Sequence, residues 1–219
     1  MQLLLLGATG RTGQLVLKTA LEAGHEVVAL VRDPARLSAQ QHPRLSLLKG
    51  TPENAEDLTR ALSGCTAVIS TLNNNRASDA PWSKPVSPAG FMTGVMRNCV
   101  AAMQEQGVSR IALLSAAGVG DSFNAVPWLF RWLIRHTNLN HTYQDHETQE
   151  QVLTESGLDW TIARPVGLSD KPSTRRLAIS FGKPQESSMT IQRGHVAQFL
   201  LDCLLTPKLI GKAAFLYER

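Results

Sequence analysis

A chain of 219 residues with 43% apolar content is long enough to bury one full core, so a single domain spanning 1–219 is expected. The formal charge of +4 is mild and its acidic and basic residues are interspersed, which argues against nucleic acid as the main partner and suits small phosphate-bearing ligands. The leucine run at 3–6 breaks at Gly7 without a basic flank, too short for a signal peptide or membrane span. Cys65, Cys99 and Cys203 lie far apart in apolar stretches, as buried reduced thiols of a cytoplasmic protein would.

The first predicted element is a strand over 3–6, followed by Gly7-Ala8-Thr9-Gly10-Arg11-Thr12-Gly13 and then an amphipathic helix that includes 15–21. This is a strand turning into a helix over a phosphate site. Gly7 and Gly10 allow a tight turn and close backbone approach to a pyrophosphate, Gly13 lets the helix pack on the strand, and the helix N-terminus faces the anion.

Gly24 ends that helix and 25–31 reads as a second strand, whose carboxyl end should lie beside the adenosine ribose. An acidic residue there would favour NAD. Here the strand runs into Arg32, with Arg36 four residues on and Arg11 in the first turn, so guanidinium groups are expected to converge on a 2′-phosphate, and NADP(H) is the predicted cofactor. Asp33 precedes Pro34 and suits the N-cap of the next helical segment.

Strand and helix then keep alternating, which predicts a Rossmann-like, doubly wound α/β fold with a mostly parallel sheet and helices on both faces. A third strand is expected at 45–48, a helix at 52–62 with Asp57 and Arg60 outward, and a fourth strand at 67–70. The loop at 71–87, with three asparagines at 73–75, Pro81 and Pro85, leaves the carboxyl end of that strand, where open α/β sheets bind ligands. Pro88 is expected to open a helix at 91–106 that ends at Gly107. Strands at 110–114 and 160–164, a helix at 192–205 and a last strand at 213–217 complete the pattern. Trp128 with Trp132, and Leu129 with Leu133, form helical stripes expected to pack against the domain, with a wall over the substrate pocket as the functional alternative.

The motifs GATGRTG at 7–13, LVRDPARL at 30–37, DHETQEQVLTESGLDW at 145–160 and FLLDCL at 199–204 resemble an atypical short-chain dehydrogenase/reductase of the NAD(P)H-binding type. Within that group the chain is most similar to the flavin reductase (biliverdin-IXβ reductase) family and its bacterial NmrA-like relatives. The resemblance implies NADPH contacts at Gly7, Thr9, Gly10, Arg11, Thr12, Arg32, Arg36, Thr71, Leu72, Ser115, His146, Pro165 and Val166. The family commonly has Gly-Asp where this chain has Gly50-Thr51, so recognition at Thr51 is expected through its backbone or hydroxyl. The histidine that flavin reductases often carry after the proline ending the sixth strand is here Val166. Asp145 and His146 are expected just before a helix that ends near Gly157.

Ordinary short-chain dehydrogenases reduce carbonyls with a Tyr-x-x-x-Lys pair, whose ammonium lowers the phenol pKa. The tyrosines here are Tyr143 and Tyr217, and the residue four beyond Tyr143 is Glu147, whose like charge would raise rather than lower a nearby phenol pKa. The predicted chemistry is hydride transfer from NADPH to a planar, delocalised acceptor such as a flavin, quinone or linear tetrapyrrole, with FMN or FAD as substrate rather than prosthetic group. Ser115 and His146 are the candidate catalytic residues. The six histidines do not cluster with cysteines at metal-ligand spacing, so no metal is expected. A monomer or weak homodimer is expected, with no membrane partner. An NADP(H)-binding redox sensor without turnover is the alternative function.

Overall fold

A computed structural model describes residues 1–184 and 188–219. In chain order the first half comprises β1 (Gln2–Leu6), α1 (Arg11–Glu22), β2 (Glu26–Val31), β3 (Leu45–Lys49), α2 (Ala55–Leu62), β4 (Ala67–Ser70), α3 (Phe91–Gln106) and β5 (Arg110–Leu114). Then follow α4 (Trp128–His136), α5 (Leu139–Thr154), β6 (Asp159–Pro165), β7 (Gly167–Ser169), β8 (Leu177–Ser180), β9 (Thr190–Gln192), α6 (Arg193–Asp202) and β10 (Lys212–Glu218).

The main sheet runs β3-β2-β1-β4-β5-β6-β10-β8, parallel except for the antiparallel β10–β8 pair at one edge. This is the predicted Rossmann-like architecture. Leucines fill β1 because a central parallel strand is covered by helices on both faces and has no polar side to present. On one face α1 and α6 pack over Leu3, Leu5 and Ala29. On the other, α2, α3 and α5 pack over Leu4, Leu6 and Val68. A fully buried leucine such as Leu17 or Leu58 contributes about 1.5–3 kcal/mol relative to exposure. Strand order reverses between β1 and β4, and that switch point opens a crevice at the carboxyl ends of the strands.

Several boundaries and orientations differ from the sequence expectations. The second helix begins at Ala55, where the Asn54 side chain caps Asp57 N–H, rather than at Pro52. Asp57 is turned inward, accepting from Thr51 N–H at 2.9 Å. Pro88 precedes α3 by three residues, and Gly90 is its N-cap. Gln192 belongs to β9, which pairs with β7 in a small second sheet that short apolar runs did not reveal. The helix expected at 192–205 is α6 followed by a tighter turn at Cys203–Leu205. Asp145 and His146 lie in the middle of α5 rather than before it.

The tryptophan stripe of α4 faces outward, against the packing expectation: Trp128 is 71% exposed and Trp132 49%. The inward stripe is Phe130, Leu133 and Ile134, with Phe130 edge-on to Tyr143 at 6.1 Å between centroids. Trp132 stacks instead on His136, one turn along the same helix. The three cysteines are buried and unpaired, and burial pushes the Cys65 thiol up to about 11 and the Cys99 thiol up to about 12. Among the described residues, no helix is long and apolar enough to cross a membrane.

Candidate functional site

The turn after β1 is built for close approach. Gly7 has φ +85°, the left-handed region that favours glycine, and its carbonyl accepts from Gly10 N–H at 2.9 Å. A Cβ on Gly7 would stand 2.7 Å from the Thr71 hydroxyl oxygen and 3.0 Å from the Thr71 carbonyl carbon. Thr71 is fixed there because its N–H and hydroxyl both donate to Leu6 C=O, at 2.9 and 3.0 Å. Gly13 is a packing residue off the cavity wall: a Cβ on it would overlap the Gly7 carbonyl oxygen and lie 2.8 Å from the carbonyl carbon. Gly10 differs from both, with extended backbone and only the Gly7 carbonyl oxygen, at 3.3 Å, near its would-be Cβ.

Beyond Gly10 opens a cavity of about 460 Å³ lined by Gly7, Thr9, Gly10, Arg11 and Thr12 on one side, and by Leu30, Arg32, Arg36, Thr51, Thr71 and Leu72 on the others. Among the described residues, the backbone N–H groups of Arg11, Thr12 and Gly13 have no hydrogen-bond partner. Such donors at the start of a twelve-residue helix suit an anion, so the cradle fits a pyrophosphate.

Arg32 and Arg36 have no carboxylate partner among the described residues. Asp33, the carboxylate between them, accepts from Ala35 N–H at 3.1 Å and caps the short helical turn Pro34–Leu37, as its sequence position implies. Arg11 does not join this pair. Its Nη2 binds both Asp79 oxygens, at 2.8 and 3.1 Å, and its Nη1 binds Asp170 at 3.1 Å, so the predicted convergence of three guanidinium groups is reduced to two. Opposite charge decides the outcome, because two carboxylates within hydrogen-bond reach hold a cation more firmly than a neighbouring guanidinium tolerates it.

On the third side, Asp57 takes the Thr51 N–H, leaving the Thr51 hydroxyl facing Glu53 at 3.3 Å. Glu53 lines the cavity, so this wall does carry a carboxylate, two residues later than the family places it. The loop at 71–87 supplies Asn73, Asn74, Asn75, Arg76, Ser78 and Asp79. Its position is set from a distance by Asp145, which accepts from Asn74 Nδ2, the Thr93 hydroxyl and the N–H groups of Met92 and Thr93. Asp145 thus caps α3, whose own N-cap glycine has no side chain to do so. Burial opposes its charge, but bonds from Thr93, Met92 and Asn74 outweigh burial and hold the carboxyl below its ordinary pKa.

Ser115, His146, Pro165 and Val166 lie off the cavity wall. Ser115 directly follows β5, next to wall residue Leu114, with its buried hydroxyl unpartnered among the described residues. Pro165 C=O accepts from Ala117 N–H, and Val166 N–H donates to Leu216 C=O. His146 is buried with Nδ1 unpartnered, and burial pushes its imidazole down to about 4 against the pull of Asp145. The unfolded chain binds this proton from about pH 6.5, so folding is disfavoured as pH falls toward 4 and the effect vanishes above 6.5. Urea unfolding should therefore show a loss of up to about 3 kcal/mol from this group over that window, and His146→Leu should flatten it. A variant as steep as the wild type would assign the loss elsewhere. Tyr143, partly buried, donates its hydroxyl to Ala117 C=O at 3.2 Å, and burial raises its phenol pKa.

Sequence reasoning placed the asparagine-bearing loop at the ligand end of the sheet without naming Asn74 as a contact, and missed Phe91, Leu168 and Arg193 on the wall. The asparagine run had a signal in its place after a strand end. Leu168 and Arg193 had none, because they reach the cavity from the far end of the chain.

The fold and the site together define a dinucleotide-binding α/β domain. The chain belongs to the NAD(P)H-binding family, whose model matches residues 7–207. A chloroplast protein of Arabidopsis thaliana is 28% identical over 212 residues, covering 91% of this chain and 70% of its own. A short-chain dehydrogenase/reductase from Veillonella parvula, solved with NADP, superposes with a TM-score of 0.80 at 20% identity, covering 99% of this chain and 94% of its own. The anaerobilin reductase ChuY of Escherichia coli O157:H7 also gives 0.80, at 23% identity over 100% of this chain and 97% of its own.

Proposed function

We propose that the protein is an NADPH-dependent reductase of planar, conjugated acceptors: flavins, quinones or linear tetrapyrroles. The observation that carries this reading is the make-up of the cavity wall. Among the described residues it holds arginines without carboxylate partners at its β2 end, yet no histidine, cysteine, tyrosine or lysine. Arg32 and Arg36 hold the 2′-phosphate, the N–H groups of Arg11 and Thr12 hold the pyrophosphate, and Thr51 and Glu53 flank the adenine. When bound, the dinucleotide supplies hydride. With no histidine, cysteine, tyrosine or lysine on the wall to pass a proton, the acceptor must disperse the incoming charge itself, as a conjugated ring system does. Leu114, Phe91 and Leu168 provide apolar surface against which such a ring packs, and Ser115 and His146 act behind that wall as positioning residues.

Sustained NADPH oxidation with FMN, a quinone or anaerobilin as acceptor tests the proposal. The same bare wall is also what an NADP(H) sensor would have, and tight NADPH binding with no oxidation by any of these acceptors would select that second reading. Cofactor choice is tested separately. Arg32→Ala removes a charge-assisted contact worth about 1.5–3 kcal/mol, so NADPH affinity should fall about tenfold to a hundredfold while NADH affinity barely changes. Equal losses for the two cofactors would refute the 2′-phosphate assignment.

A further inference from the structure

Buried arginines must have their charge answered, and comparison among them isolates one that is only partly answered. Arg164 binds Glu150 through two nitrogens and Asp121 through the third. Arg110, also largely enclosed, spends its donors on the carbonyls of Leu204, Ile111, Asp159 and Cys203 and on the Thr161 hydroxyl. Arg193, with a side chain only 8% exposed, donates Nε to Asp170 at 2.6 Å and Nη1 to the Thr12 hydroxyl at 3.4 Å. Its Nη2 has no partner among the described residues, and the residue lines the cavity beyond Gly10.

The neighbours of Arg193 make this an anion receptor held in reserve. Asp170 bridges Arg193 and Arg11, and Arg11 is further bound by Asp79, which is 81% exposed on the loop at 71–87. Two cations therefore face two carboxylates, one of them weakly anchored, since exposed ion pairs contribute only about 0–1 kcal/mol. If Asp79 swings into solvent, Arg11 and Arg193 share Asp170 alone and the cluster carries one net positive charge beside the open N–H groups of α1.

We propose that Arg193, oriented by Asp170 and Thr12, is the anion-binding residue at the α1 end of the cavity, offering its unpartnered Nη2 to a phosphate or carboxylate when Asp79 leaves the neighbouring Arg11. The inference deepens the NADPH-dependent reading and rests on it. That oxyanion has two sources, the pyrophosphate of the dinucleotide or an anionic tail on the acceptor, and a flavin pair distinguishes them: FMN carries a phosphate and riboflavin does not.

Arg193→Met leaves the half-exposed Asp170 paired with Arg11, so no carboxylate is stranded. Arg193→Lys, which keeps the charge, serves where the methionine variant does not fold. Titration with NADPH and turnover with FMN and riboflavin are compared with the wild type. A loss of about tenfold or more in NADPH affinity assigns the pyrophosphate, and a similar loss in kcat/KM for FMN but not riboflavin assigns the acceptor's anion. Where neither flavin is reduced, the NADPH titration decides alone. The proposal is overturned if the wild type binds NADPH and the variant matches it within twofold in affinity and in FMN preference, for then Arg193 only braces Asp170. A wild type that does not bind NADPH would instead sink the cofactor reading itself.

Discussion

Gly10→Val is expected to abolish NADPH binding while leaving a folded protein. The backbone at Gly10 is extended, which valine adopts readily, and its nearest obstacle is a single carbonyl oxygen at 3.3 Å. The rest of the space around that Cβ is the cavity, so the two methyl groups would occupy the volume through which phosphate oxygens reach the N–H groups of Arg11 and Thr12. Losing two charge-assisted bonds of about 1.5–3 kcal/mol each lowers affinity by at least about a hundredfold. Calorimetric titration of the folded variant is the check. Unchanged affinity would mean that the turn is not a phosphate cradle.

Gly13→Ala, three residues on in the same motif, should do the reverse and act on the fold first. Its Cβ would meet the Gly7 carbonyl, and the Thr71 hydroxyl at 2.9 Å, and neither can yield. The carbonyl is main chain in a tight turn, and the Thr71 hydroxyl is committed to Leu6 C=O. Overpacking costs about 1–3 kcal/mol, a large part of a total stability of about 5–15 kcal/mol, and unyielding main chain puts this case at the upper end. Urea unfolding should show a clear fall in midpoint at unchanged slope. If Gly13→Ala unfolds like the wild type, helix α1 is not held against the turn by close contact and the packing account fails. Together the pair separates a glycine needed by the ligand from one needed by the chain.

The site was legible to the extent that its parts are local. Asp33 is an example: it precedes a proline, and the structure has it capping the turn that follows, because such a bond spans two residues. Arg32 and Arg36 were legible for the same reason, being set by where a strand ends. Arg11 was placed correctly on the cavity but in the wrong company, since its partners Asp79 and Asp170 lie 68 and 159 positions away. His146 was expected near a helix start and lies mid-helix, because the polar residues of α5 conceal its periodicity. The Trp128–Trp132 stripe failed for a different reason. Residues four apart share a face of a helix, but periodicity does not say which of two apolar faces meets the core, and Phe130, Leu133 and Ile134 are the inward set.

What the sequence by itself determined is the alternation of strands and helices through β6 and again at α6 and β10, though not β7, β8 or β9, together with the phosphate turn between the first two elements and the basic end of the second strand. These depend on backbone conformations and side-chain periods that neighbouring residues set among themselves. Tertiary structure alone decided which charges meet. Asp145 reaches across from α5 to cap α3 and steady Asn74, Asp57 turns in to hold Thr51, and Arg193 comes 181 positions along the chain to stand beside Thr12. An ion pair is fixed by distance in space, falling off over a few ångströms, and that distance exists only once the sheet order has brought the carboxyl ends of β1, β2 and β4 to one crevice.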